Sequence, residues 1–60
     1  MLYFVAGIVE NDDGVKELKY EPEAFVGDTK EAVKQKALIR WDVPEGEIDS
    51  LELVVLPFVS

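Results

Sequence analysis

The stretch Leu2-Tyr3-Phe4-Val5-Ala6-Gly7-Ile8-Val9 decides how this chain is read. A β-strand points successive side chains to opposite faces, and here both faces are apolar: Leu2, Phe4, Ala6 and Ile8 on one, Tyr3, Val5, Gly7 and Val9 on the other. A strand with one solvated face alternates apolar and polar residues, whereas a continuous apolar run asks for cover on both sides. A second run of this kind, Leu51 to Val59, closes the sequence. Only one segment between the two has a helical pattern, and one helix covers one face of a small sheet. The sequence therefore predicts a domain with an apolar surface left over for a partner.

Working outward, Asp13-Gly14 follows the first strand and precedes Val15. Both residues tolerate positive φ, so the pair predicts a hairpin. The second strand runs from Val15 to Tyr20 or Glu21 and carries charge on one side, as a protected edge does. Pro22 is expected to close it, with Phe25 and Val26 anchoring a connection over 22–27. Asp28 followed three residues on by Glu31 predicts a capping box at the start of a helix spanning about 29–41. Its buried ladder is Val33, Ala37 and Trp41, with Ala32 and Ile39 at the margin, Lys36 and Arg40 snorkelling, and Leu38 outward. Val43 precedes Pro44 and leaves the α region. Residues 43–50 read as a loop with a turn at Pro44-Glu45-Gly46, and Pro57 marks the last strand as an edge.

The reading is a single small α+β domain over residues 1–60, with ββαβ order. Its three-stranded antiparallel sheet has order 2-1-3 and strands at about 2–9, 15–21 and 51–58, and one helix packs on one face. The helix is placed over Leu2, Phe4, Ala6 and Ile8. The uncovered face then carries Tyr3, Val5 and Val9 with Val54, Leu56 and Phe58, a patch of several hundred Å² that soluble monomers rarely expose. These six residues are the predicted interface, with Gly7 either a notch for close backbone approach or the mark of a bulge. A second route to association is strand pairing along the edge of the third strand.

Composition narrows the function. A 60-residue chain buries only about 60% of its unfolded surface and is marginal without disulfides, metal or oligomerisation. It has no cysteine and no histidine, which removes disulfides, thiolate metal sites, the commonest metal ligand and the usual general base. Oligomerisation remains, with a homodimer favoured. No catalytic residue, cofactor or metal site is expected, and no Walker, Rossmann or nucleophile-elbow motif occurs. Asn11-Asp12-Asp13-Gly14 lacks EF-hand spacing. The apolar opening is too short and wrongly flanked for a signal peptide or a membrane span, so a cytoplasmic protein without membrane contact is expected.

The net charge is −7. Lys30, Lys34, Lys36 and Arg40 face only Glu31 within residues 29–41, while every other acid shares the remainder with Lys16 and Lys19 alone. This balance argues against direct nucleic-acid binding. An acidic patch of Asp42, Glu45, Glu47, Asp49 and Glu52 suggests an alternative, a DNA mimic that inhibits a nucleic-acid-binding protein. The leading expectation is a small acidic interaction protein that self-associates through its open sheet face and acts by binding another protein.

Overall fold

The computed structural model describes residues 1–58; Val59, which completes the second apolar run, lies outside them. Strand β1 (Leu2–Glu10) is the middle of a three-stranded sheet ordered β2-β1-β3, with β2 (Lys16–Val26) and β3 (Leu51–Pro57) both antiparallel to it. Helix α1 (Lys30–Arg40) packs across one face, and a single turn of helix, α2 (Glu45–Ile48), leads into β3. This is the ββαβ arrangement that the apolar runs, the Asp-Gly turn and the proline positions predict.

The hairpin is held locally. Gly14 donates its N–H to the Asn11 carbonyl and has φ of 81°, a left-handed conformation cheap for glycine. The Asn11 side chain accepts from the N–H groups of Asp13 and Val15, both at 3.0 Å. Asparagine here mimics a backbone turn and fixes the register of β1 on β2.

Beyond the hairpin, β2 differs from the expectation. It does not stop at Pro22 but continues to Val26, bringing the expected 22–27 connection into the sheet. Gly27 N–H donates to Met1 C=O, so by alternation Phe25 and Glu23 turn their amides toward β1 while Val26, Ala24 and Pro22 turn theirs away. Pro22 thus sits where no ladder donor is needed. Two register shifts flank Gly7, whose partner is Tyr20, while Ile8 pairs with Leu18. Each shift adds one residue on β2, and the one between Tyr20 and Leu18, Lys19, sends those two side chains to opposite faces, although strict alternation puts them together.

Helix α1 also starts and faces slightly differently from the reading. Thr29, not Asp28, is the N-cap, its hydroxyl accepting from Ala32 N–H at 3.1 Å. Val33 and Ala37 are fully buried and Trp41 packs against them. Ile39 is 79% exposed, and Leu38 is half-buried in its place. At about 100° per residue, Ile39 lies some 200° round the helix from Ala37, on its far side. The helix ends in a Schellman motif: Val43 N–H donates to Leu38 C=O and Asp42 N–H to Ile39 C=O. Asp42 takes the left-handed position with φ of 52°, where glycine is usual.

Candidate interaction surface

Cross-strand register assigns the faces. Val5 pairs with Val55, Gly7 with Leu53 and Val9 with Leu51, so these side chains share one face, and Tyr3 and Val5 are buried on it together with Val33 and Ala37. The helix therefore covers Tyr3, Val5 and Gly7. This corrects the expected patch, which placed Tyr3, Val5 and Val9 on the uncovered face. The grouping of Val54, Leu56 and Phe58 within β3 matches the alternation, but directly opposed residues share a face. These three consequently go with the even-numbered residues of β1 rather than the odd ones.

The reason α1 chooses the odd face lies at Gly7. A Cβ there would stand 2.7 Å from Tyr20 Cδ2, so glycine leaves the space in which the Tyr20 ring lies. Trp41 stacks on that ring, with centroids 4.7 Å apart and planes within 2°, and Phe25 meets Trp41 edge-on at 6.0 Å. Such aromatic contacts add about 0.5–1.5 kcal/mol each beyond area burial. The notch at Gly7 is filled by the chain's own tyrosine, and the bulge is there as well.

The open face is built from Leu2, Phe4, Ala6 and Ile8 of β1, flanked by Val54 and Leu56 of β3 and by Leu18, Ala24 and Val26 of β2. Phe58 extends it, its N–H donating to Leu2 C=O at 2.9 Å and its ring lying 5.6 Å from that of Phe4. Leu18, Val26, Leu56 and Phe58 are all exposed, Val26 by 63% and Leu56 by 59%. Among the described residues no element packs over them. Sequence reading missed Leu2, Phe4, Leu18 and Val26 as surface residues, because a strand apolar on both sides does not say which side the helix takes.

The face is apolar at one end and polar at the other. Lys16 and Glu52 reach across β1 beside Ile8 to within 3.5 Å, and with Glu10 and Ser50 they line an open depression of about 160 Å³. That is below the roughly 300 Å³ of the usual small-molecule pocket. Among the described residues no group of three or more acidic side chains comes together in a way that could hold a metal ion. No helix among them is long and apolar enough to cross a membrane.

The five acids of the predicted patch are divided among several environments. Glu47 pairs with Lys19 at 3.0 Å and Glu52 with Lys16, whereas Asp42, Glu45 and Asp49 are exposed at the end of α1 and around α2. The Glu47 carboxylate, as hydrogen-bond acceptor, raises the Lys19 pKa above its ordinary 10.5. Three of the four helix cations also find partners inside the molecule. Lys34 pairs with Glu31, Arg40 reaches Glu23 on β2 at 3.4 Å, and the Lys36 ammonium donates to the Val26 carbonyl. No family model, no curated protein and no solved structure matches this chain.

Proposed function

We propose that this protein is a small acidic interaction module that pairs with a second copy of itself through the open face of its sheet. The observation that carries this reading is an apolar face left uncovered, centred on Phe4, with Leu56, Phe58, Leu18 and Val26 exposed around it. A second copy is the occupant that matches it best, since an isologous contact sets apolar end against apolar end and keeps the Lys16–Glu52 end at the rim.

Area sets the strength. Strands spaced about 4.8 Å apart and rising about 3.3 Å per residue make this face roughly 300–500 Å² per copy. Two copies then bury roughly 600–1,000 Å², at or below the lower end of stable specific interfaces. The pairing is therefore weak and concentration-dependent. Each copy carries −7, so added salt screens the repulsion and tightens it.

Sedimentation velocity over a concentration series at low and high salt tests this. The mass is expected to rise with concentration and more steeply at high salt, and Leu56→Lys is expected to remove the pairing made through this face. A strict monomer at high micromolar concentration and high salt would contradict the proposal. A captured partner that dissociates as salt rises would point instead to the acidic residues as the working surface.

A further inference from the structure

Both flanking strands expose an edge, but only β2 defends its own along its length. Its outward amide positions include Pro22, which has no N–H, and two register shifts twist the strand beside Gly7. Glu17, Lys19, Glu21 and Glu23 add charge along it. On β3 the proline device recurs only at the strand's last residue, Pro57, and Leu51 to Leu56 have no register shift and a single charge, Glu52. Phe58 N–H donates inward to Leu2 C=O, so Leu56, Val54 and Glu52 also turn inward. Leu51, Leu53 and Val55 then direct both N–H and C=O away from the sheet, and among the described residues nothing pairs with them. The pairing of β3 with β1 runs without a register shift, so this edge is regular.

We infer that β3 pairs antiparallel with β3 of a second copy about a two-fold axis at Leu53. In that register Leu51 lies opposite Val55 of the partner subunit, Leu53 opposite its own counterpart, and each opposed pair exchanges two N–H···O=C bonds. The neighbouring registers are poorer. A shift toward the C-terminus sets Leu51 against Pro57, which lacks a donor, and a shift toward the N-terminus sets Glu52 directly against Glu52 of the partner subunit. Centred on Leu53, Glu52 faces the partner's Val54 while Lys16 holds its carboxylate.

Directly opposed residues share a face, so both helices lie on one side of the joined sheet and both open faces on the other. Pairing two three-stranded sheets doubles the open face to roughly 600–1,000 Å². Two such edge dimers packed face to face bury roughly 1,200–2,000 Å², the range of standard stable interfaces. Edge pairing thus turns a marginal face into an adequate one, and it does not depend on face pairing to form.

Amide hydrogen exchange followed by NMR on the full chain, from dilute to high micromolar concentration, tests the inference. The amides of Leu51, Leu53 and Val55 are expected to gain at least about tenfold protection with concentration, while the outward amides of Ala24 and Val26 do not. Equal exchange at all concentrations, or equal gains on both edges, would overturn strand pairing and leave face pairing standing. In Val26→Lys, which alters only the open face, the β3 protection is expected to persist; its loss would show that face pairing alone shields those amides. A synthetic chain N-methylated at the Val55 amide keeps the side chain and the ladder to β1. Unchanged protection of Leu51 and Leu53 in that chain would equally overturn the inference.

Discussion

The two faces of this sheet are made of the same kinds of residue and have opposite fates. On one, Tyr3 and Val5 lie under Val33 and Ala37, and Tyr20, Trp41 and Phe25 close the end. On the other, Phe4, Leu56 and Phe58 form a comparably apolar surface that meets no second layer among the described residues. Hydrophobicity alone does not separate them. What separates them is a notch: Gly7 and the bulge at Lys19 let one tyrosine ring lie flat on the strand, and Trp41 completes the helix face upon it. Core formation here follows shape, and the other face meets no complementary shape among the described residues.

The largest expected effect breaks this comparison most sharply. Val5 is fully buried, so Val5→Lys places an unpaired charge in the core of a domain with little stability to spare, and the cooperative thermal transition seen by circular dichroism is expected to disappear. Leu56→Lys, on the open face, is expected to change monomer stability by less than about 0.5 kcal/mol while abolishing face-to-face association. If the two substitutions had similar effects on folding, the faces would be misassigned.

Next in size is Gly7→Ala. The added methyl meets Tyr20 Cδ2 at 2.7 Å and Leu51 Cδ1 at 3.2 Å, and a loss of about 1–3 kcal/mol is expected from overpacking. The near-UV circular dichroism of the Tyr20–Trp41 stack is expected to weaken with it. A smaller effect of opposite sign is expected from Asp42→Gly. This change relieves a left-handed aspartate that also sits at the negative end of the helix dipole, and a gain of about 1 kcal/mol should appear in urea unfolding.

The smallest effect concerns Lys19. Its pKa is raised in the folded protein by Glu47, so the contact contributes stability in full below 10.5 and loses it as pH rises through the folded value above that. Lys19 is exposed, and the expected change in melting temperature between pH 9 and pH 12 is correspondingly slight, but Lys19→Met is expected to remove this component of it.

Much of the architecture was legible because each element carries its own local signal. Asp13-Gly14 turns the hairpin, the Val33-Ala37-Trp41 ladder marks the helix face, and Pro57 places β3 at an edge. Continuation of β2 past Pro22 was not legible, since a proline whose nitrogen faces outward is harmless and direction is set by register. Face assignment was hidden for a related reason. Tyr3-Val5-Val9 and Leu2-Phe4-Ile8 are equally apolar, and only pairing Val5 with Val55 and Gly7 with Tyr20 and Leu53 decides between them. The one available clue was steric: a glycine in the middle of a bulky strand favours the face onto which an aromatic ring from Tyr20 can fold.

In the proposed pairing the open face, and not the helix or the acidic loops, meets a second copy. An isotope-filtered NMR experiment on a mixture of labelled and unlabelled chains at high micromolar concentration reads this contact directly. Intermolecular cross-peaks are predicted between the ring protons of Phe4 or Phe58 and the methyl groups of Leu56, Leu18 or Val26. Cross-peaks confined to α1 or to the residues around α2, with none from Phe4 or Leu56, would contradict it.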